Sequence, residues 1–286
     1  MPCTATPQQE EYGYFKQRKL RMRVFNLNEL AGATLDWAHL YPLGDSHEED
    51  VYADLEAFDA YCEWIRNDPR GFVIGTGDLI DAVNKHSKGD AEDKTKPTQQ
   101  AMEDVIDRLR PVAHKILVMV GGNHDRERSK KESNIDIARA IAKALDVYYE
   151  PDWTAIRLKV GSYCGHGAVT YDVAVSHGMG AARTPGGRAN MIGRMAQQIV
   201  ADLYVCGHVH NEMTYPAPIY VPVEGKLHKE DGAVWIHADL VPRRCLIAGT
   251  LRAAGGYSMR GLYAPNMVSM PRARLNGSKK WIKIDS

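Results

Sequence analysis

The sequence has no cysteine pair with the spacing of a metal-binding or redox motif. Its five cysteines are scattered and odd in number: Cys3, Cys62, Cys164, Cys206 and Cys245. This distribution argues against a disulfide framework and against a structural zinc site built on thiolates. It favours a reduced compartment, and we expect the protein to be cytoplasmic.

Long apolar runs and an excess of charge are also missing. No run approaches the roughly 20 residues that a membrane-spanning helix needs, and residues 1–7 lack the pattern of a signal peptide. We therefore expect no membrane association. Thirty-six basic residues balance 36 acidic ones, which gives no general support for nucleic-acid binding. The basic segments 16–23 and 272–283 nevertheless keep a nucleic-acid partner open as an alternative.

The order of apolar patterns predicts an α/β fold. In the first half, short apolar runs alternate with helical spacing, as over 48–67 and in the helix that Ser133 is expected to cap. After Pro151 shorter alternating segments dominate, which indicates two packed sheets with helices outside. Residues 1–35 are weakly patterned and predict an N-terminal arm that packs on the body or on a second subunit of a homodimer. Residues 36–286 are predicted to form a single domain.

The stretch from Lys115 to Asp125 combines a buried strand with polar side chains. Ile116 to Val120 is a continuous apolar run, and two glycines separate it from Asn123, His124 and Asp125. Polar side chains at the exit of a buried strand are poorly placed for packing. Because ligands bind outside the carboxyl ends of strands in open α/β folds, this position predicts a functional site.

The same arrangement recurs at five predicted strand ends. The residues concerned are Asp45 and His47; Asp78 and Asp81; Asn123, His124 and Asp125; His177; and His208 and His210. In four of the five junctions a glycine directly precedes the first of these groups, so the backbone can turn tightly there. Carboxylates, an amide and imidazoles without thiolates favour Mn, Fe, Zn, Co or Ni. The candidates are too many for one ion, so we expect two divalent metal ions, the arrangement known for phosphoester hydrolysis.

These blocks resemble the signature of the calcineurin-like metallophosphoesterase superfamily, which reads D-x-H, G-D-x-x-D, G-N-H-D, a lone H and G-H-x-H. Every block is present in order, and the resemblance covers Asp45 to His210. It implies a four-layer α/β/β/α sandwich of two mixed sheets flanked by helices.

The resemblance also implies roles for the residues. Asp45, His47 and His210 would hold one metal, Asn123, His177 and His208 would hold the other, and Asp78 would bridge them. His124 would assist the leaving group, Asp125 would orient His124, and a hydroxide between the metals would attack phosphorus in line. Asp81 would either support the bridge or cap a helix or turn.

The implied activity is that of a metal-dependent phosphodiesterase, with manganese among the candidate ions. Arg126, Arg183 and Arg188 follow the motifs and are candidates for contact with a phosphoester substrate. The alternatives are a DNA or RNA nuclease, a phosphomonoesterase on the same site, and a metal-binding scaffold without catalysis, as in a retromer subunit of this superfamily. The complete ligand set argues against the scaffold. The native substrate would depend on the loops 84–96, 178–190 and 249–275.

Overall fold

The structure is a computed structural model that describes residues 20–83, 93–180, 182, 184–260 and 262–285. In chain order its strands are β1 Arg23–Asn26, β2 Trp37–Gly44, β3 Gly71–Gly77, β4 Ile116–Val120, β5 Tyr149–Glu150, β6 Trp153–Val160, β7 Val169–Ser176, β8 Leu203–Cys206, β9 Met213–Pro216, β10 Ile219–Glu230, β11 Ala233–Val241, β12 Arg244–Ile247, β13 Arg272–Asn276 and β14 Ile282–Asp285. The helices are α1 Leu27–Ala31, α2 Leu55–Asn67, α3 Thr98–Leu109, α4 Ser129–Ser133, α5 Ile137–Ala144, α6 Pro185–Gln198 and α7 Tyr257–Arg260, with a 3-10 turn over Arg110–Lys115 and a π turn over Asn123–Arg128.

The first sheet is built around the apolar runs of the first half of the chain. Its strand order is β14-β13-β2-β3-β4-β5, in which β2 to β5 run parallel and β13 is antiparallel to β2. Residues of β3 and β4 are buried throughout, as expected for parallel strands covered on both faces.

The second sheet has the order β1-β6-β7-β8-β12-β9 and is also mixed. β7, β8 and β12 are parallel neighbours, while β6 and β9 run antiparallel to β7 and β12. All the carboxyl ends of β7, β8 and β12 therefore lie at one edge.

Three apolar layers hold the fold together. The first lies between the two sheets, where Ile74 and Val118 belong to the same buried cluster as Val173 and Val205. A second layer packs the first sheet against α2, α3 and α5, and a third packs the second sheet against α6. Two mixed sheets flanked by helices confirm the predicted architecture. Within the described residues, no helix is long and apolar enough to span a bilayer.

Residues 23–31 pack on the body, one of the two placements considered for the N-terminal segment, because β1 pairs in parallel with β6 and Leu27 is fully buried in the core between the sheets. Two local predictions differ from the structure. The helix predicted from residue 48 begins at Leu55, where Asp54 accepts a hydrogen bond from the Ala57 N–H at 2.9 Å. Likewise Asp136, and not Ser133, caps the helix that carries Ile141.

β10 and β11 form an antiparallel hairpin that belongs to neither large sheet. A register irregularity interrupts the pairing between Pro222 and Leu227. Most residues of this hairpin are exposed, in contrast to the buried strands of the body.

Candidate metal centre

The five predicted junctions converge at one edge of the two sheets. Parallel pairing of β2 with β3 sets Asp45 beside Asp78, and the Asp45 N–H donates to the Gly77 carbonyl at 2.9 Å. On the second sheet the Gly207 N–H donates to the His177 carbonyl at 3.0 Å. The His208 N–H donates to Asp45 Oδ2 at 2.9 Å, which joins the loops of the two sheets directly.

Asp45, His47 and His210 form the first cluster of ligand atoms. His210 Nε2 lies 3.2 Å from Asp45 Oδ1 and 3.1 Å from His47 Nε2. Asp45 and His47 are almost completely buried, and His210 is half-buried. One carboxylate and two imidazoles around a common point are suitable ligands for a divalent ion.

Asp78, His177 and His208 form the second cluster, with Asn123 beside it. His177 Nε2 lies 3.0 Å from Asp78 Oδ2, 3.1 Å from His208 Nδ1 and 3.0 Å from Asn123 Oδ1. The structure therefore brings together all seven residues that the sequence predicts as metal ligands, with Asp78 beside His177 and His208. These residues could hold divalent metal ions.

The outer hydrogen bonds of two histidines show which ring nitrogens are available to a metal. His177 Nδ1 lies 2.7 Å from the Thr76 carbonyl oxygen, and His208 Nε2 contacts the Gly180 carbonyl oxygen. A carbonyl only accepts hydrogen bonds, so these nitrogens carry the protons. The lone pairs of His177 Nε2 and His208 Nδ1 then face each other, which is repulsive unless a cation or proton lies between them. The donor set fits a metal ion.

Backbone strain is concentrated on the same residues. Five of the predicted ligands have positive φ: Asp45 at 49°, His47 at 48°, Asp78 at 53°, His208 at 75° and His210 at 55°. Residues with a side chain rarely adopt this region, and such outliers cluster at functional sites where the surrounding structure maintains them. β2, β3 and β8 therefore end in turns that direct ligands toward the centre.

Two of the glycines in the motifs allow the close approach of neighbouring loops. A Cβ at Gly122 would collide with Asp78 Oδ1, and a Cβ at Gly207 would collide with Asp45 Oδ2. The missing side chains at these two glycines therefore leave space for the carboxylates of Asp78 and Asp45.

Burial and neighbouring charges oppose each other in this centre. Burial alone would raise the pKa of Asp78, but the adjacent His177 and His124 hold it well below its ordinary value. Burial would lower the pKa of His177, but Asp78 and Asp45 raise it to about 10. The carboxylates thus favour positive charge in the centre, and a divalent ion would compete with the proton on His177 for this position.

The contacts of His124 correct the predicted role of Asp125. His124 Nδ1 contacts Asp81 Oδ1, while Asp125 accepts the N–H groups of Gly122 at 2.8 Å and Leu79 at 3.0 Å. Asp125 is fully buried beneath the loop, so its carboxylate fastens backbone instead of orienting His124.

Asp81 is the carboxylate that links the two histidines of this part of the site. Its Oδ1 atom also lies 3.2 Å from His47 Nδ1, and Arg128 Nη1 donates to its carbonyl oxygen at 2.7 Å. Asp81, His47 and His124 lie close enough together to hold an ion themselves. However, Asp81 meets the Nδ1 atom of His47, whereas the Nε2 atom faces His210. Of the two roles considered for Asp81, this geometry favours support of the ligands.

The predicted substrate arginines lie in different environments. Arg126 is bound to acidic groups, with its guanidinium 2.8 Å from Asp152 Oδ1 and 3.5 Å from Asp136 Oδ2. Arg188 is half-buried in the first turns of α6, and Arg183 lies outside the described residues.

Two supporting groups were missed by reasoning from the sequence. Glu49 accepts the N–H groups of Ala82 at 2.7 Å and Asp81 at 3.2 Å, and Thr250 Oγ1 donates to the Asp45 carbonyl at 2.7 Å. Glu49 stands two residues after His47, in an acidic segment that resembles the first turn of a helix. Thr250 carries no recognisable sequence signal, because its partner is 205 residues away.

Two solved structures to which the chain is similar share little sequence with it. Vacuolar protein sorting 29 from Cryptosporidium parvum is 14% identical, with 88% of this chain and 98% of that chain covered and a TM-score of 0.40. A predicted phosphoesterase from Streptococcus pneumoniae is 13% identical, with coverages of 88% and 90% and a TM-score of 0.37. No curated protein sequence matches the chain at a significant level.

A family model provides the decisive comparison. The sequence model of the calcineurin-like phosphoesterases matches residues 40–212, which is more than half of the chain and includes all five motifs. The resemblance drawn from the motifs is thereby confirmed. The chain belongs to the calcineurin-like phosphoesterase family.

Proposed function

We propose that the protein is a phosphodiesterase that hydrolyses its substrate with two divalent metal ions. The observation that carries this proposal is the pairing of two ligand clusters at one edge of the sheets. Asp45, His47 and His210 would hold one ion, and Asn123, His177 and His208 would hold the other. Asp78 lies in the second cluster and is the candidate bridge. When bound, the two ions supply an activated water and neutralise charge on the phosphoryl oxygens.

His124 is the candidate proton donor to the leaving group. The Nδ1–H group of His124 donates its hydrogen bond to the Asp81 carboxylate. The Nε2 atom of His124 therefore faces the centre and lies 3.8 Å from Asp78 Oδ2. His124 remains 22% exposed, so a bound substrate can reach its ring. A proton held at Nε2 can pass to the departing alkoxide, and positioned acids of this kind contribute about 10²–10⁴-fold to rate.

The charge around the centre supports a diester over a monoester. A monoester carries up to two negative charges at neutral pH, and a second charge calls for additional cationic partners. Arg126 and Arg128, which follow the Asn123 motif, are both bound to carboxylates. A diester, with its single charge, requires less of such compensation.

The test compares two chromogenic substrates on metal-reconstituted protein. We expect a higher kcat/KM for the phosphodiester than for the matching monoester, and loss of both activities with chelator. His124→Ala should lower kcat on the diester about 10²–10⁴-fold. His114→Ala is the matched control, because His114 is exposed and lies in the turn before β4.

The outcomes separate the alternatives. A higher kcat/KM for the monoester would assign the same centre to a phosphomonoesterase. Turnover of nucleic acid that falls steeply with salt would indicate a nuclease, because binding to many phosphates is salt-dependent. Bound metal without turnover of any of these substrates would contradict the proposal and favour the scaffold.

A further inference from the structure

The hairpin of β10 and β11 exposes an amphipathic surface that the metal centre does not explain. Tyr220, Leu227, Val234, Ile236 and Leu240 lie on one face through the alternation and pairing of the two strands, and each is more than half exposed. Their exposed fractions range from 51% at Ile236 to 72% at Tyr220. A contiguous apolar face of this kind marks an interaction surface.

The outer edge of β11 has no strand beside it among the described residues. β11 pairs only with β10 there, and residues 233–240 are all exposed. An isolated two-stranded hairpin is marginally stable in water, and a long open edge is a template for another strand. The hairpin is therefore suited to pairing through β11.

The sequence of β11 is self-complementary about Ala238. Residues 235–241 read Trp-Ile-His-Ala-Asp-Leu-Val. Apolar residues stand at both ends, and a basic His237 and an acidic Asp239 flank the central Ala238. An antiparallel copy paired at Ala238 would set His237 opposite Asp239 twice. The same register would set Ile236 opposite Leu240 and Trp235 opposite Val241. Residues directly opposite in an antiparallel pair share a face, so each pairing is between compatible side chains.

We propose that a second copy of this chain binds along β11 and forms a twofold dimer with a four-stranded sheet, β10-β11 from each copy. A twofold interface uses the same patch on both subunits, and the symmetry of residues 235–241 meets that requirement. The paired His237 and Asp239 fix the register, because a shift by one residue moves each side chain to the other face of the strand.

The experiment is sedimentation velocity on the full chain between about 1 and 100 μM. We expect a reversible monomer–dimer equilibrium for the wild type. His237→Asp opposes two pairs of like charges and should weaken dimerisation about tenfold or more. Combining it with Asp239→Lys restores opposite charges in the same register and should recover the dimer.

Glu230→Lys serves as the control, since it alters a charge near the hairpin tip, outside the proposed register. It should leave the dimer unchanged, and circular dichroism of every variant should match the wild type. A wild type that stays monomeric throughout this range overturns the proposal. So does a dimer that His237→Asp does not weaken, or one that the double variant does not restore.

Discussion

Two histidine–aspartate clusters lie near opposite ends of β2 and differ in what their nitrogen atoms face. Near the start of the strand, His39 Nδ1 meets Asp68 Oδ2 at 2.5 Å, and the Tyr41 hydroxyl donates to the same oxygen at 2.7 Å. Just past its end, His47 Nε2 faces His210 Nε2 at 3.1 Å. The first cluster pairs donors with an acceptor, whereas the second directs ring nitrogens at each other.

This difference separates a packing cluster from a binding site. Asp68 and His39 satisfy each other, so the pair is complete without any further group. The facing nitrogens of the metal centre are incomplete without a proton or a cation. Buried His and Asp residues alone therefore do not identify a site. Their location at the carboxyl ends of parallel strands, and the direction of their lone pairs, make the distinction.

The largest predicted effect follows from removing charge at the centre. Asp78→Asn should reduce the proposed phosphodiesterase activity about 10³-fold, because several kcal/mol of charge stabilisation depend on the bound ions. The same variant should lose the increase in Tm that added Mn²⁺ gives to the wild type, since fewer ligands bind the ion. Kinetics and thermal unfolding with and without metal check this. Unchanged metal-dependent stabilisation would contradict the assignment of Asp78.

A second comparison tests which carboxylate supports the histidines. Asp81→Asn should lower kcat about 10–100-fold with modest loss of stability, because it weakens the contacts to His47 and His124. Asp125→Asn should instead lower the free energy of unfolding by about 1–3 kcal/mol, since its single oxygen can accept only one of the two backbone N–H groups of Gly122 and Leu79. Steady-state kinetics and urea unfolding of both variants separate the roles. The reverse pattern would restore Asp125 as the orienting group.

At the other end of β2, Asp68→Asn should lower the free energy of unfolding by about 1–3 kcal/mol and leave kcat unchanged. Burial alone would raise the pKa of Asp68, but His39, Tyr41 and the Arg70 N–H together lower it.

A depressed carboxyl pKa stabilises the fold above the unfolded-state pKa of about 4, and the contribution is lost as pH falls below that value. The stability difference between wild type and Asp68→Asn should therefore shrink between about pH 5 and pH 3. Urea unfolding across that range measures the difference in the free energy of unfolding. A difference that stays constant with pH would show that the charge of Asp68 does not contribute to stability.

The smallest effect is expected at Thr250. Thr250→Val removes the hydrogen bond to the Asp45 carbonyl, which still accepts the Leu251 N–H at 3.2 Å, and it removes the acceptor of the Arg252 N–H. The loss should be about 1 kcal/mol of stability and less than tenfold in kcat. A much larger loss of activity would show that the loop after β12 contributes directly to the metal centre.

Much of the fold and of the ligand set could be predicted from local sequence. The apolar run from Ile116 to Val120 predicts a buried strand, and the glycines and polar residues that follow it predict a turn that carries ligands. By contrast, the start of α2 was misplaced, because the acidic residues after His47 resemble a helix N-terminus. Glu49 instead binds the backbone of Asp81 and Ala82 on the neighbouring loop.

The sequence by itself determined which residues end the strands and in what order, because strand patterning and turn glycines act over a few neighbouring residues. Only the tertiary structure decided which contacts each of those residues makes. Asp81 contacts His124 while Asp125 holds backbone, although both are close to the same motifs. That choice depends on the register between β2, β3 and β4, which brings together side chains tens of residues apart. Long-range register, unlike strand periodicity, leaves no local pattern in the chain.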